Sequence, residues 1–315
     1  MIKKVFLAAL GVIFLGAFAA TPVYAEGEDT KPAIWLQISP VSERVVLEPG
    51  KSLDYQFNVE NIGGEAFTYK VYATPYGVTN KTYELNFSTE TERTQVSRWI
   101  TFQDANGNFA QEVSYTIEPG TKQTIPYRIS VPASIPDGGQ YATIFAESIP
   151  SSAASQSSGI KTVSRVGLVI YGRSTGETVN DAEILDYQFN SFLTSGQVNS
   201  SATVKNSGNT DFETRYNLVV KSLFGKTIFE KKAVYDVLPD TERDVAVEWP
   251  ETPLFGIFRI TSTVTALDQS EDHTKIVLII PLFILIIMLV LLTILVIWLI
   301  MIIRKRKEQK SRLVA

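Results

Sequence analysis

Residues 59–70 read VENIGGEAFTYK, and 145 residues further on, residues 204–215 read VKNSGNTDFETR. Four positions coincide: Val59/Val204, Asn61/Asn206, Gly63/Gly208 and Phe67/Phe212. Two further blocks recur in the same order. EPGT at 118–121 is echoed by LPDT at 238–241, and PDGGQY at 136–141 by PLFGIF at 253–258, which keeps the spacing P-x-x-G-x-aromatic. An alternating stretch ending in Val131-Pro132 or Trp249-Pro250 lies between these blocks in each half. One building block is used twice.

The block is made of strands. Leu53, Tyr55, Phe57 and Val59 alternate with Asp54, Gln56, Asn58 and Glu60, the period of a strand with one wet face. Ile125, Tyr127, Ile129 and Val131 repeat the pattern, as do Tyr216, Leu218 and Val220, then Val245, Val247 and Trp249, then Phe258, Ile260 and Val264. Pro126, which lacks a ladder donor, marks its strand as an edge. The Asn-x-Gly stretches predict turns with positive φ where one strand ends and the next begins. Short strands punctuated by Gly, Pro and Asn predict an all-β ectodomain of two tandem immunoglobulin-like antiparallel β-sandwiches.

The two ends predict where this ectodomain sits. Lys3 and Lys4 precede an apolar run from Val5 to Ala20, and Val23-Tyr24-Ala25 suits signal peptidase, so 1–25 reads as a signal peptide. Residues 276–303 are 28 uncharged residues, enough for one transmembrane helix crossing with tilt. A basic tail, 304–315, follows at once and predicts a cytoplasmic C-terminus under the positive-inside rule. The expected protein is single-pass type I in the plasma membrane, with 26–275 extracellular. Of 29 basic and 33 acidic residues, 21 and 32 fall in that region, a net charge of about −11. Such a surface repels phosphate and argues against a nucleic-acid partner. There is no cysteine, so hydrophobic burial alone must hold the exported region together.

The copies differ in length. Asn61 to Pro119 spans 58 residues and Asn206 to Pro239 spans 33, which places an insert at about 76–104. The expected domains are a first sandwich at 32–173, with a loose hairpin tip at 150–159, and a second at 178–268, divided at 172–179. Asp268–Lys275 reads as a juxtamembrane stalk.

Catalytic chemistry is sparse. The single histidine, His273, falls in that stalk, and no nucleophile elbow, P-loop or dinucleotide fingerprint is present. Asp104 to Asn108 resembles the start of a calcium loop, but glycine comes at position four and Tyr115 stands where a bidentate Glu belongs. Asn106-Gly107 reads better as a hairpin turn. No cofactor and no metal is expected. The insert holds Tyr76, Tyr83, Trp99 and Phe102, candidate contacts for a glycan or protein partner through exposed aromatic faces. The competing reading puts Trp99 and Phe102 in the core.

The first unit, about 33–171, resembles the peptidoglycan-binding domain of WxL-interacting proteins, a Gram-positive cell-surface family. The resemblance lies in Leu47-Glu48-Pro49-Gly50 before an alternating strand, in Asn61-x-Gly63, and in Ile117-Glu118-Pro119-Gly120 through Val131-Pro132 to Gly138-Gly139-x-Tyr141-x-x-Ile144-Phe145. It implies a non-enzymatic, membrane-anchored surface protein that binds cell-wall glycan or a surface protein, and it assigns no binding residue. A passive stalk or scaffold is the alternative, and a glycan-active enzyme a more distant one.

Overall fold

The computed structural model describes residues 32–150, 163–194 and 196–313. The expected signal peptide and nearly all of the expected hairpin tip at 150–159 lie outside these residues. Two β-sandwiches follow one another. In the first, one sheet runs β1 (Leu36–Ser39), β3 (Ser52–Asn61), β10 (Lys122–Ser130), β7 (Ile100–Gln103), β8 (Phe109–Ala110). The facing sheet runs β2 (Ser42–Leu47), β12 (Arg165–Ser174), β11 (Gly139–Ser148), β4 (Phe67–Pro75), β9 (Glu112–Ile117). A small ribbon, β5 (Gly77–Val78) with β6 (Leu85–Asn86), and a 3-10 turn at Gln95–Arg98 lie between β4 and β7.

The second sandwich has the same plan. One sheet runs β13 (Ala182–Phe189), β15 (Val198–Asn206), β18 (Thr241–Trp249), and the other β14 (Phe192–Leu193), β20 (Gln269–Ile279), β19 (Gly256–Ala266), β16 (Phe212–Ser222), β17 (Thr227–Val237). Strand for strand, β1–β4 correspond to β13–β16, and β9–β12 to β17–β20. In both copies every contact within a sheet is antiparallel but one. The second strand pairs parallel to the last, β2 with β12 and β14 with β20. The additional elements of the first copy, β5 to β8, are its insert, and β7 and β8 widen one sheet by two strands.

The alternating residues do face the two cores. Phe57, Val59, Ile125, Tyr127 and Ile129 are fully buried in the first, and Tyr216, Leu218, Val220, Val245 and Ile260 in the second. The repeated asparagine is a structural tie used twice. Asn61 Oδ1 accepts the Gly63 N–H at 2.9 Å while its Nδ2 donates to the carbonyls of Glu65 and Ile117. Asn206 makes the matching bonds to Gly208, Thr210 and Val237. Each stitches the end of its strand to the next turn and to the strand before the proline block.

Three expectations need correction. Gly63 and Gly208 do not have positive φ. Both are glycine because another backbone crosses them: a Cβ on Gly63 would sit 2.7 Å from the Ala33 carbonyl oxygen, and one on Gly208 2.4 Å from that of Val179. Positive φ appears instead at Gly120 and at Asp240, its counterpart. Second, Pro126 is not on an edge strand. β10 is flanked by β3 and β7, but the β7 ladder stops at Tyr127, so residue 126 needs no donor on that side. Third, the second sandwich continues to Ile279, and there is no stalk at Asp268–Lys275. Those residues form most of β20, the counterpart of β12, paired along its length with β19. The strand's first half is polar and exposed, and its last four residues merge into the apolar run that follows, so its two-residue period is masked. His273 lies within it, stacked on Tyr187 with ring centroids 3.9 Å apart.

Two residues after β20 the chain enters α1 (Leu282–Leu313). Its segment Leu282–Arg304 is 23 residues long with mean hydropathy 3.4 and no buried surface, compatible with a single-pass membrane anchor.

Candidate functional site

The four aromatic candidates of the insert do not form one surface. Phe102, on β7, is fully buried in the first core, its ring edge-on to Phe57 at 6.5 Å. It has no face to offer a ligand. Trp99, just after the 3-10 turn, is half-buried against the same core, so the core reading holds for Phe102 and largely for Trp99. Tyr76 and Tyr83 go elsewhere. They join Tyr141, Tyr171 and Leu238 in a third apolar cluster, built from both sandwiches.

That cluster lies at the junction of the two units, and polar contacts surround it. Tyr141, on β11, donates its hydroxyl hydrogen to Asp211 Oδ1 at 3.0 Å and accepts the Asp211 backbone N–H at 2.9 Å. Asp211, just before β16, is buried and also receives the Arg44 guanidinium. Arg44, on β2, reaches on to Asp236 at 3.0 Å and lies over the Tyr171 ring at 4.7 Å. One arginine thus bridges two carboxylates of the other sandwich while stacking on an aromatic of its own. Burial pushes the Tyr141 and Tyr171 phenols well above the ordinary range, so both stay protonated. Burial also raises the Asp236 carboxyl, with Arg44 pulling the other way.

The insert makes the second half of the junction. Tyr83 accepts the Leu238 N–H at 2.5 Å and bonds Thr241 Oγ1 at 2.9 Å, and Arg243 lies 4.0 Å over its ring. Lys81 pairs with Glu242 at 2.7 Å, and its carbonyl accepts the Asp244 N–H. Arg93 pairs with Asp240 at 3.1 Å and donates to the Asn209 carbonyl at 3.1 Å. Gly138 is glycine because its φ is +98° and a Cβ there would collide with the Asn209 carbonyl.

Between the insert and the β17–β18 turn a cleft of about 360 Å³ opens. Tyr76, Asn86, Thr89, Thr91 and Thr94 line one side and Leu238 and Pro239 the other. Its charges are the Arg93–Asp240 pair and Glu92. The insert side carries hydroxyl and amide groups, of which Asn86, Thr91 and Thr94 are also hydrogen-bonded within the insert, and Leu238 and Pro239 add apolar surface opposite, so the cleft offers a polyhydroxylated ligand both polar partners and apolar contacts. Asp211 and Asp236, the acidic pair at the junction, are bridged by Arg44, and Asp211 is sealed from solvent. Asp104, first residue of the possible calcium loop, spends Oδ1 on the N–H groups of Asn106 and Asn108 in its own hairpin turn. Among the described residues no cluster of three metal-ligating side chains occurs.

No protein-family model matches the sequence, and no curated protein does. Solved structures with related folds include fimbrial chaperones. The class 5 fimbriae chaperone CfaA is 14% identical, covering 78% of this chain and 100% of its own, with a TM-score of 0.37. The YadV chaperone is 11% identical over 77% and 99%, with 0.38. A chain of the CsuC–CsuE chaperone–tip adhesion subunit complex of Acinetobacter baumannii is 14% identical over 79% and 99%, with 0.36. Likeness at this level carries nothing about function.

The residues that build the junction were mostly not singled out by sequence. Arg44, Asp211 and Asp236 carried no motif. A signal did exist in the repeat: Asp211 aligns with Ala66, and Tyr141 with Phe258. The two copies depart from each other at the two positions that meet.

Proposed function

We propose that this is a membrane-anchored cell-surface protein, of the WxL-interacting kind, that binds cell-wall glycan in the cleft between its insert and its second sandwich. The observation that carries the reading is the cleft's lining. A wall rich in hydroxyl and amide groups, supplied by an insert that only one copy has, faces the Leu238–Thr241 turn of the other copy, whose Leu238 and Pro239 are apolar and whose Asp240 pairs with Arg93 of the insert. The strands shared by the copies explain folding, so the insert is free to serve binding. The reading takes α1 as the anchor and places both sandwiches outside the cell. It assigns no catalytic step.

A second reading is favoured by a different observation. More than a dozen residues from the two sandwiches, among them Arg44, Tyr83, Arg93 and Asp211, are spent on holding one unit against the other. A rigid scaffold that presents nothing itself would also need this bracing. The full chain in detergent, mixed with isolated Gram-positive cell walls and sedimented, separates the two. Enrichment with the walls above that of an unrelated acidic membrane protein supports binding, and its absence leaves the scaffold.

A further inference from the structure

Most of the exposed apolar side chains of the second sandwich collect at one end, Val179 and Val234 lying towards the other. Leu223 and Phe224 occupy the β16–β17 turn, Leu254 and Phe255 the loop into β19, and Phe192 lies on β14. Phe224 is 98% exposed and Leu254 81%. The ladder registers put them at one level. Ser222 lies opposite Phe258, Gly256 opposite Ile279, and Phe192 opposite Leu278. The other end of the same strands carries Asp211 and Asp236 and faces the first sandwich.

The apolar end is also the end from which α1 leaves. Only Ile280 and Pro281 separate β20 from the helix, and the Ile280 N–H is bonded to the Leu193 carbonyl at 2.9 Å. With neighbouring strands about 4.8 Å apart, the start of β19 and the end of β16 lie within about 10 Å of the end of β20. No linker allows this end to stand away from a membrane that holds α1. Lys221 and Arg259 face each other across the β16–β19 ladder just behind the apolar tips, and Lys226 is in the turn itself, with Glu251 the acidic residue of the neighbouring loop.

We propose that this end is a membrane-seating surface. Leu223, Phe224, Leu254 and Phe255 enter the interfacial layer of the leaflet from which α1 emerges, while Lys221, Lys226 and Arg259 lie at the level of the lipid phosphates. The proposal rests on α1 being the anchor. Apolar side chains beside a basic fringe are what interfacial binding to a bilayer requires. The seat holds the sandwich upright on its helix and points the first sandwich, with the cleft, away from the lipid.

The absence of cysteine makes the test direct. Full-length chains carrying one cysteine each, F224C, F255C, Q269C or L289C, are labelled with a nitrobenzoxadiazole probe. They are reconstituted in vesicles of phosphatidylcholine and phosphatidylglycerol containing lipids with a nitroxide high on the acyl chain. Probes at 224 and 255 should be blue-shifted and quenched to an extent comparable with 289, while the probe at 269, at the far end of β20, stays unquenched. Quenching at 289 with 224 and 255 behaving like 269 overturns the seat and leaves the anchor standing. A probe at 289 that is itself unquenched overturns the anchor and the seat with it.

Discussion

The Tyr141 hydroxyl and Asp211 are joined twice: the hydroxyl donates to Oδ1 at 3.0 Å and accepts from the backbone N–H of the same residue at 2.9 Å. One phenol therefore satisfies a buried charge and a buried donor across the junction of two sandwiches. Tyr141→Phe, which restores the residue type of the second copy, leaves that N–H unpaired and the carboxylate to Arg44 alone. A loss of about 1–3 kcal/mol is expected. Chemical denaturation of the full chain in detergent measures it, and an unchanged midpoint would mean the junction adds nothing to stability.

Removing the arginine should cost more. Arg44→Met keeps part of the packing over Tyr171 but strands Asp211 in a buried site. Breaking a buried pair from one side typically costs about 3–5 kcal/mol. Because Arg44 is half exposed, the lower part of that range is expected. The double variant Arg44→Met, Asp211→Ala should recover part of the loss, and a double variant as unstable as the sum of the singles would refute coupling.

Acid should weaken the fold. The Tyr72 hydroxyl hydrogen-bonds Glu147 and, with Lys70, holds its carboxyl below the usual range, and Arg128 does the same for Asp54 and Lys81 for Glu242. A depressed carboxyl stabilises the fold above its unfolded pKa, about 4, and that contribution vanishes as pH falls through the folded value. Asp236 runs the other way, because burial raises it and protonation relieves the cost. The depressed carboxyls lose their stabilising contribution as pH falls, so the thermal midpoint should be flat near neutrality and fall below about pH 4. A midpoint that rises on acidification contradicts this balance.

Gly63 and Gly208 should fail as alanine for want of space. A single Cβ meets a crossing backbone in each, so Gly63→Ala and Gly208→Ala should each destabilise by about 1–3 kcal/mol. Gly50, with φ +74° and open space around it, separates the two causes: Gly50→Asn should be mild, since Asn tolerates that region. If Gly50→Asn costs as much as Gly63→Ala, crowding is not the reason for the conserved spacing of the two copies.

The repeat and its period of two were enough to read the sandwich pair, because a half-buried strand leaves its two faces in the sequence. The last strand of the second copy was hidden by its own setting. Val277 and Ile279 point into the core but abut the helix, so strand and helix read as one apolar run. The glycines were legible as obligatory but not as crowded, since crossing chains leave no local mark. Trp99 and Phe102 looked like contacts because they stand among polar residues. Yet β7 sits inside a widened sheet, and its alternate residues Ile100 and Phe102 face the core. Phe102→Ala should therefore cost about 3–5 kcal/mol in stability, and Trp99→Ala a smaller amount. The cleft itself depends on how two units meet, and no pattern within either unit reports that.

The most direct measurement of the central claim is wall binding by the full chain in detergent with and without Thr89→Trp. Thr89 is exposed and lines the cleft, so an indole there obstructs it without touching either core. The account predicts saturable binding of the unaltered chain to isolated cell walls, weakened at least about tenfold by the substitution, with the same melting temperature for both. Equal affinities for the two chains would contradict it.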